Sequence, residues 1–175
     1  MEKKYGKISG KPDEVFYEDL KIGYYYQLVV ADHLRLSGIH DVHVDPLQIR
    51  PERKDAAQFY DHGDITVNLR KRKVEIEVKS RPYEFTGIKD FPYSEIVISD
   101  KYIFDRKMKQ HGIHAVVIIS QLTEKMFAIR VSLMKYWLIK EITNERNKTT
   151  TEHYVIPKQL ATPMYQFIQW MKLYM

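Results

Sequence analysis

The chain has 175 residues, 44% of them hydrophobic and 29% charged, and carries a formal charge of +5. That length and balance suit one globular domain and exclude a disordered or fibrous chain, while the absence of cysteine excludes a disulfide scaffold, a thiolate zinc site, an iron–sulfur cluster and a cysteine nucleophile. No apolar run approaches the roughly 20 residues of a membrane span, and the polar start Met1-Glu2-Lys3-Lys4 does not read as a leader. A soluble, cytoplasmic domain with no membrane partner is expected, and its mild basicity leans only faintly toward an anionic partner.

Residues 1–16 are polar and expected to be loosely held. Leu20, Tyr24, Leu28, Ala31 and Leu34 then recur at three- and four-residue spacing, which predicts a helix over 17–37 that Gly38 ends. Three extended segments follow. Residues 40–47 alternate around Val42 and Val44, Pro46 and Pro51 break regularity, and 50–63 reads as a long polar connection. Residues 64–69 alternate again, with Ile65, Val67 and Leu69 against Asp64, Thr66 and Asn68, and 74–79 set Val74, Ile76 and Val78 against Glu75, Glu77 and Lys79. The basic run Arg70-Lys71-Arg72-Lys73 between them has the length of a hairpin turn.

Beyond Arg81 an aromatic loop is expected over 83–93, a short strand over 95–99 and a helix over 100–110 ended by Gly112. The apolar run 115–120 suits a buried strand, 123–125 a turn, and 127–131 another strand. Residues 141–152 read as a polar surface loop, 154–156 as a last short strand and 160–173 as a C-terminal helix. With no internal repeat or linker, residues 1–175 form a single α/β domain with a mixed central sheet. Its core spans about 17–131, and the C-terminal strand and helix occupy about 154–173.

The hairpin carries the one constellation with chemistry in it. If its turn centres between Arg70 and Lys71, residues whose numbers sum to 141 face each other, so Leu69 opposes Arg72, Val67 opposes Val74 and Ile65 opposes Ile76. Apolar residues then meet apolar ones on one face, which fixes register in a half-buried pair. The same sum sets Asp64 across from Glu77, with Cβ atoms about 4.5–5.5 Å apart, and Lys79 joins that face. Two carboxylates so placed repel unless a cation lies between them. Oxygen ligands in this number suit Mg²⁺, and a nearby lysine can orient water or stabilise negative charge. Acidic-any-Lys strings are cheap, however, and occur five times in the chain. Only Glu77/Lys79 lies in an alternating strand that follows an Asp-bearing strand at matching parity. A solvated hairpin face has the same composition, so spacing alone leaves both readings open.

The string Gly63-Asp64-Ile65-Thr66-Val67, with Glu77-Val78-Lys79 beginning thirteen residues after Asp64, resembles the signature of the PD-(D/E)xK nucleases, the restriction-endonuclease-like superfamily. The resemblance covers about 17–131. It implies a restriction-endonuclease-like αβββαβ core, with a mixed central sheet flanked by helices, and Mg²⁺-dependent cleavage of DNA, Mn²⁺ able to substitute. Asp64 and Glu77 are then metal ligands and Lys79 the catalytic lysine. Gly63 stands where the name-giving Pro would be. Many members place a Glu on the first helix, and Gln27, near the centre of the apolar stripe, falls where that Glu would stand. A buried Gln satisfied by backbone is the competing reading.

Ser80, Arg81 and Gln121 are further cleft candidates. Arg70, Lys71, Arg72, Lys73 and Arg81 are candidate DNA contacts, with Arg50, Arg53 and Lys54 beside them, although a basic hairpin tip is more often a solvated turn. Tyr83, Phe85, Phe91 and Tyr93 either stack on splayed bases or close the core, and the core is the expected use. His40 and His43 with Asp45 have metal-like spacing, but residues three apart in a strand face opposite sides; His111 with His114 lies at a turn and lacks a third ligand nearby; Asp61 and His62 read as loop. Met164, Phe167, Ile168 and Met171 form a stripe suited to packing or to a dimer seam, and cutting both strands of a duplex invites a symmetric homodimer. The size resembles stand-alone microbial or viral nucleases. The alternatives are a DNA-binding protein of the same fold without catalysis, and a small-molecule-binding α/β domain.

Overall fold

Strong alternation at 65–69 and 74–78 builds the hairpin at the centre of the structure. In the computed structural model the described residues are 13–47, 64–144 and 148–175. Of the expected loose segment 1–16, residues 1–12 lie outside these, as do the connection 50–63, Gly63, and the candidates Arg50, Arg53, Lys54, Asp61 and His62. Helix α1 (Asp13–Leu36) is followed by strands β1 (Val42–Val44), β2 (Ile65–Leu69), β3 (Arg72–Arg81) and β4 (Glu95–Asp100), helix α2 (Lys101–His111), strands β5 (Ala115–Ser120), β6 (Met126–Arg130), β7 (Leu138–Asn144), β8 (Thr149–Pro157) and β9 (Thr162–Pro163), and helix α3 (Met164–Lys172). The expected αβββαβ order is present as α1, β1, β2, β3, α2 and β5, with β4 interposed.

Six strands form the central sheet in the order β1-β2-β3-β5-β6-β9. β3 and β5 run parallel while the other neighbours are antiparallel, so the sheet is mixed. The β2–β3 register is the one expected, with Ile65 opposite Ile76, Val67 opposite Val74 and Leu69 opposite Arg72. The turn is Arg70-Lys71. One face of the sheet packs Ile65, Val67, Val74, Ile76, Ala115 and Val117 against Val30, Ala31 and Leu34 of α1 and Phe167, Ile168 and Met171 of α3. The stripe on α3 is therefore used in packing.

The other face is covered by a second sheet that the sequence reading lacked, antiparallel and ordered β4-β8-β7. Val116, Ile118, Phe127 and Ile129 meet Ile96, Ile98, Tyr154 and Ile156 of this sheet and Phe104 of α2. Of the segment 141–152, expected as a loop, residues 141–144 and 149–152 pair as the outer half of the β7–β8 ribbon. The ribbon is exposed along much of its length, so no apolar alternation marks it. Its buried inner end, Tyr154 to Ile156, is the part that was legible.

Local chemistry sets the helix ends. Ile39 N–H returns to Leu34 C=O at 3.0 Å beside Gly38, whose φ of 89° only glycine adopts freely. The Asp100 side chain accepts from Ile103 N–H at the start of α2, and Gly112 closes that helix at φ 66° with its N–H on Met108 C=O. Among the described residues no helix is long and apolar enough to cross a membrane.

Candidate active site

Asp64 sits one residue before the first paired residue of β2, and its carboxylate continues the ladder there. Oδ2 accepts from the backbone N–H of Val78 at 2.6 Å, and Oδ1 accepts from Gln27 Nε2 at 2.9 Å. Val78 N belongs to the peptide that links Glu77 to Val78, so Asp64 is fastened to the backbone between the other two expected site residues. Gln27 comes from α1, the helix that packs against this hairpin, and its amide thus stands beside Asp64. Asp64 is buried, and its charge-assisted bonds replace the water it loses.

Glu77 lies deeper, with only 2% of its side chain exposed. Lys79 Nζ is 2.7 Å from Oε1, and Lys107 Nζ on α2 is 2.9 Å from both Oε1 and Oε2. Burial alone would push the Glu77 carboxyl up, but Lys79 and then Lys107 outweigh it and lower it to about 2. Lys79 is a quarter exposed and reaches solvent; Lys107 is nearly buried.

Lys107 is the member of this group that sequence reasoning missed. The signal for it was a lysine one turn after Phe104, on the stripe that α2 buries. A second missed group neighbours it. Glu75, also buried, takes Lys73 on Oε1 at 2.6 Å and Thr66 Oγ1 on Oε2 at 2.8 Å, while its backbone N–H donates to His114 Nδ1 at 3.1 Å. Burial, followed by the charge of Arg72, lowers the His114 pKa, and an accepting Nδ1 requires the neutral ring.

The remaining cleft candidates divide. Gln121 Nε2 donates to Ser80 Oγ at 3.0 Å, its N–H donates to Arg81 C=O, and its own C=O accepts from Tyr26 of α1. Gln27, Asp64, Glu77, Lys79, Ser80 and Gln121 therefore gather at one end of the central strands. Arg81 is committed instead to the backbone of β4, through Nη2 to Val97 C=O at 2.6 Å. The basic turn lies at the other end of the hairpin: Lys71 is six residues from Glu77, about 20 Å along the strand. There the Arg72 guanidinium stands 5.2 Å from the Trp170 ring centre and 5.1 Å from that of Tyr174. Lys73 is held by Glu75. The structure thus separates Arg70, Lys71, Arg72 and Lys73 from the carboxylates that they were expected to surround. Phe85 and Phe91 are buried in the second core cluster with Tyr83 packed against it, which is the expected packing use, whereas Tyr93 is exposed.

Mg²⁺ commonly takes one or two protein carboxylates and fills its other positions with water and phosphate oxygen. Asp64 and Glu77 fit that requirement in kind and number. No cluster of three or more His, Asp or Glu side chains suited to a metal is found among the described residues. His43 pairs with Asp41.

No protein-family model matches the chain, and no curated protein matches it. Among solved structures it is similar to a nuclease from a fusselovirus, over 96% of this chain and 97% of that one, with 13% sequence identity and a TM-score of 0.42.

Proposed function

We propose that the protein is a Mg²⁺-dependent DNA nuclease that hydrolyses phosphodiester bonds. The observation that supports this most is the fastening of Asp64 to the Glu77–Val78 peptide, with Lys79 one residue further on the same strand. Asp64 and Glu77 are the residues that would hold Mg²⁺, which when bound polarises a phosphoryl oxygen and makes water a stronger nucleophile. The chain's own groups do the positioning. Gln27 and the Val78 N–H fix the Asp64 carboxylate, and the two lysines keep Glu77 ionised in its buried place. Lys79, partly exposed, is the group that would meet negative charge gathering on the phosphate. Water oxygen bonds to phosphorus, one P–O ester bond breaks, and the departing oxygen takes up a proton. The same reading puts the protein in the cytoplasm as part of the proposal, and cleavage of both strands would recruit a second copy.

The test is cleavage of linear, nicked, single-stranded and four-way DNA with Mg²⁺ or Mn²⁺. Cleavage that Asp64→Asn and Lys79→Ala remove supports the proposal; cleavage that survives both rejects it. A second reading, DNA binding without cleavage, is favoured by one observation: two ammonium groups already neutralise Glu77. DNA binding by a wild-type protein that cuts none of the four substrates would establish that reading instead.

A further inference from the structure

Lys107 is a costly residue to bury. A long cationic side chain on the packed stripe of a helix gives up its hydration and rotamer freedom, and here it is directed onto one carboxylate thirty residues away in sequence. Its geometry is specific. The ammonium is equidistant, at 2.9 Å, from Oε1 and Oε2 of Glu77, so it lies along the edge of the carboxylate from which a chelated cation is held. Lys79 touches Oε1 alone and reaches toward solvent, where a phosphate can take it over. The two lysines are therefore not equivalent. One is available to substrate, and the other occupies the place of an ion.

We propose that Lys107 is a built-in counter-ion that competes with divalent metal for the chelating edge of Glu77, so that the metal is held weakly until Lys107 gives way. This rests on the reading of Glu77 as a metal ligand. The ionised cluster Asp64, Glu77, Lys79 and Lys107 sums to zero charge, and the buried carboxylate costs little because both its oxygens are paired. A divalent ion entering beside Glu77 meets the Lys107 charge at close range in a poorly screened setting, where like charges repel far more strongly than in water. Lys107 is thus a positioning residue, acting on metal occupancy through Glu77.

The experiment is a Mn²⁺ titration of the full chain followed by the electron paramagnetic resonance signal of free Mn²⁺, for wild type, Lys107→Met, Lys107→Gln and Glu77→Gln, with thermal melting of each. The expected result is that both Lys107 variants bind Mn²⁺ tighter than wild type by about tenfold or more, while Glu77→Gln binds it more weakly. Lys107 variants that bind no tighter, alongside a weakened Glu77→Gln, overturn the competition and leave the metal reading intact. Equal Mn²⁺ affinity in wild type and Glu77→Gln overturns the metal reading itself and the competition with it. Loss of folding in both neutral variants would make the pair a structural strut and likewise overturn the proposal.

Discussion

The Gln27 amide donates to the Asp64 carboxylate at 2.9 Å, tying α1 to the start of β2. Gln27→Glu would set two carboxylates against each other in a half-buried place. Without divalent metal the variant is expected to melt several degrees below wild type, for a loss of about 1–2 kcal/mol. Mn²⁺ should restore most of that loss, since the added carboxylate supplies the charge that Gln27 lacks. Calorimetric melting with and without Mn²⁺ tests this, and an equal loss in both conditions would reject it.

Asp64→Asn and Lys79→Ala separate chemistry from folding. In Asp64→Asn the carbonyl of the introduced amide can still accept from Val78 N–H, and a flipped Gln27 amide can accept from the introduced NH₂, so the fold should persist with a cost near 1 kcal/mol. Lys79→Ala leaves Glu77 its pair with Lys107. Both variants are expected to lose about 10²–10⁴-fold in DNA cleavage rate while melting within a few degrees of wild type. Loss of cleavage in step with loss of melting temperature would instead mark the residues as structural.

Acid should weaken the fold through Glu77. Its carboxyl titrates at about 2 in the folded chain against an ordinary 4.5. A lowered folded pKa contributes stability that is complete above about 4.5 and lost as pH falls toward 2. Urea denaturation at several pH values between 6 and 2 should show this decline. Glu77→Gln should flatten it while lowering stability at neutral pH, because the buried Lys107 loses its counter-charge.

Arg72 should matter to folding and not to DNA. Its guanidinium lies over Trp170 and Tyr174, so Arg72→Ala is expected to cost about 1–2 kcal/mol of stability. Cleavage per folded molecule and its salt dependence should not change. A shallower salt dependence of DNA binding would show instead that Arg72 meets phosphate.

The hairpin register and the grouping of Asp64, Glu77 and Lys79 were legible because Ile65, Val67, Val74 and Ile76 alternate cleanly and a two-residue turn leaves one pairing. The end of helix α2 was legible from Gly112, while its side-chain cap Asp100 was not singled out. The start of α1 was not: it begins at Asp13, before the apolar stripe from which it was read. The β7–β8 ribbon escaped because Lys140, Glu141, Thr150 and Thr151 carry no apolar side, their order coming from cross-strand pairing alone. Lys107 escaped for the opposite reason. Its partner is distant in sequence, and a charge on a helix reads as solvated until the fold turns that face inward. The basic turn was expected around the carboxylates and lies away from them, since a hairpin's tip and its open end are a strand's length apart.

α2 belongs to the crossover that carries the chain from β3 back to its parallel neighbour β5. A parallel pair cannot form by local zippering, so this crossover closes only after a long detour of chain has been brought home. Until that moment Glu77 has Lys79 from its own strand but not Lys107. The constellation is consequently a record of completed assembly. A chain whose crossover has not closed can pair β2 with β3 and still lack the fourth charge of the cluster.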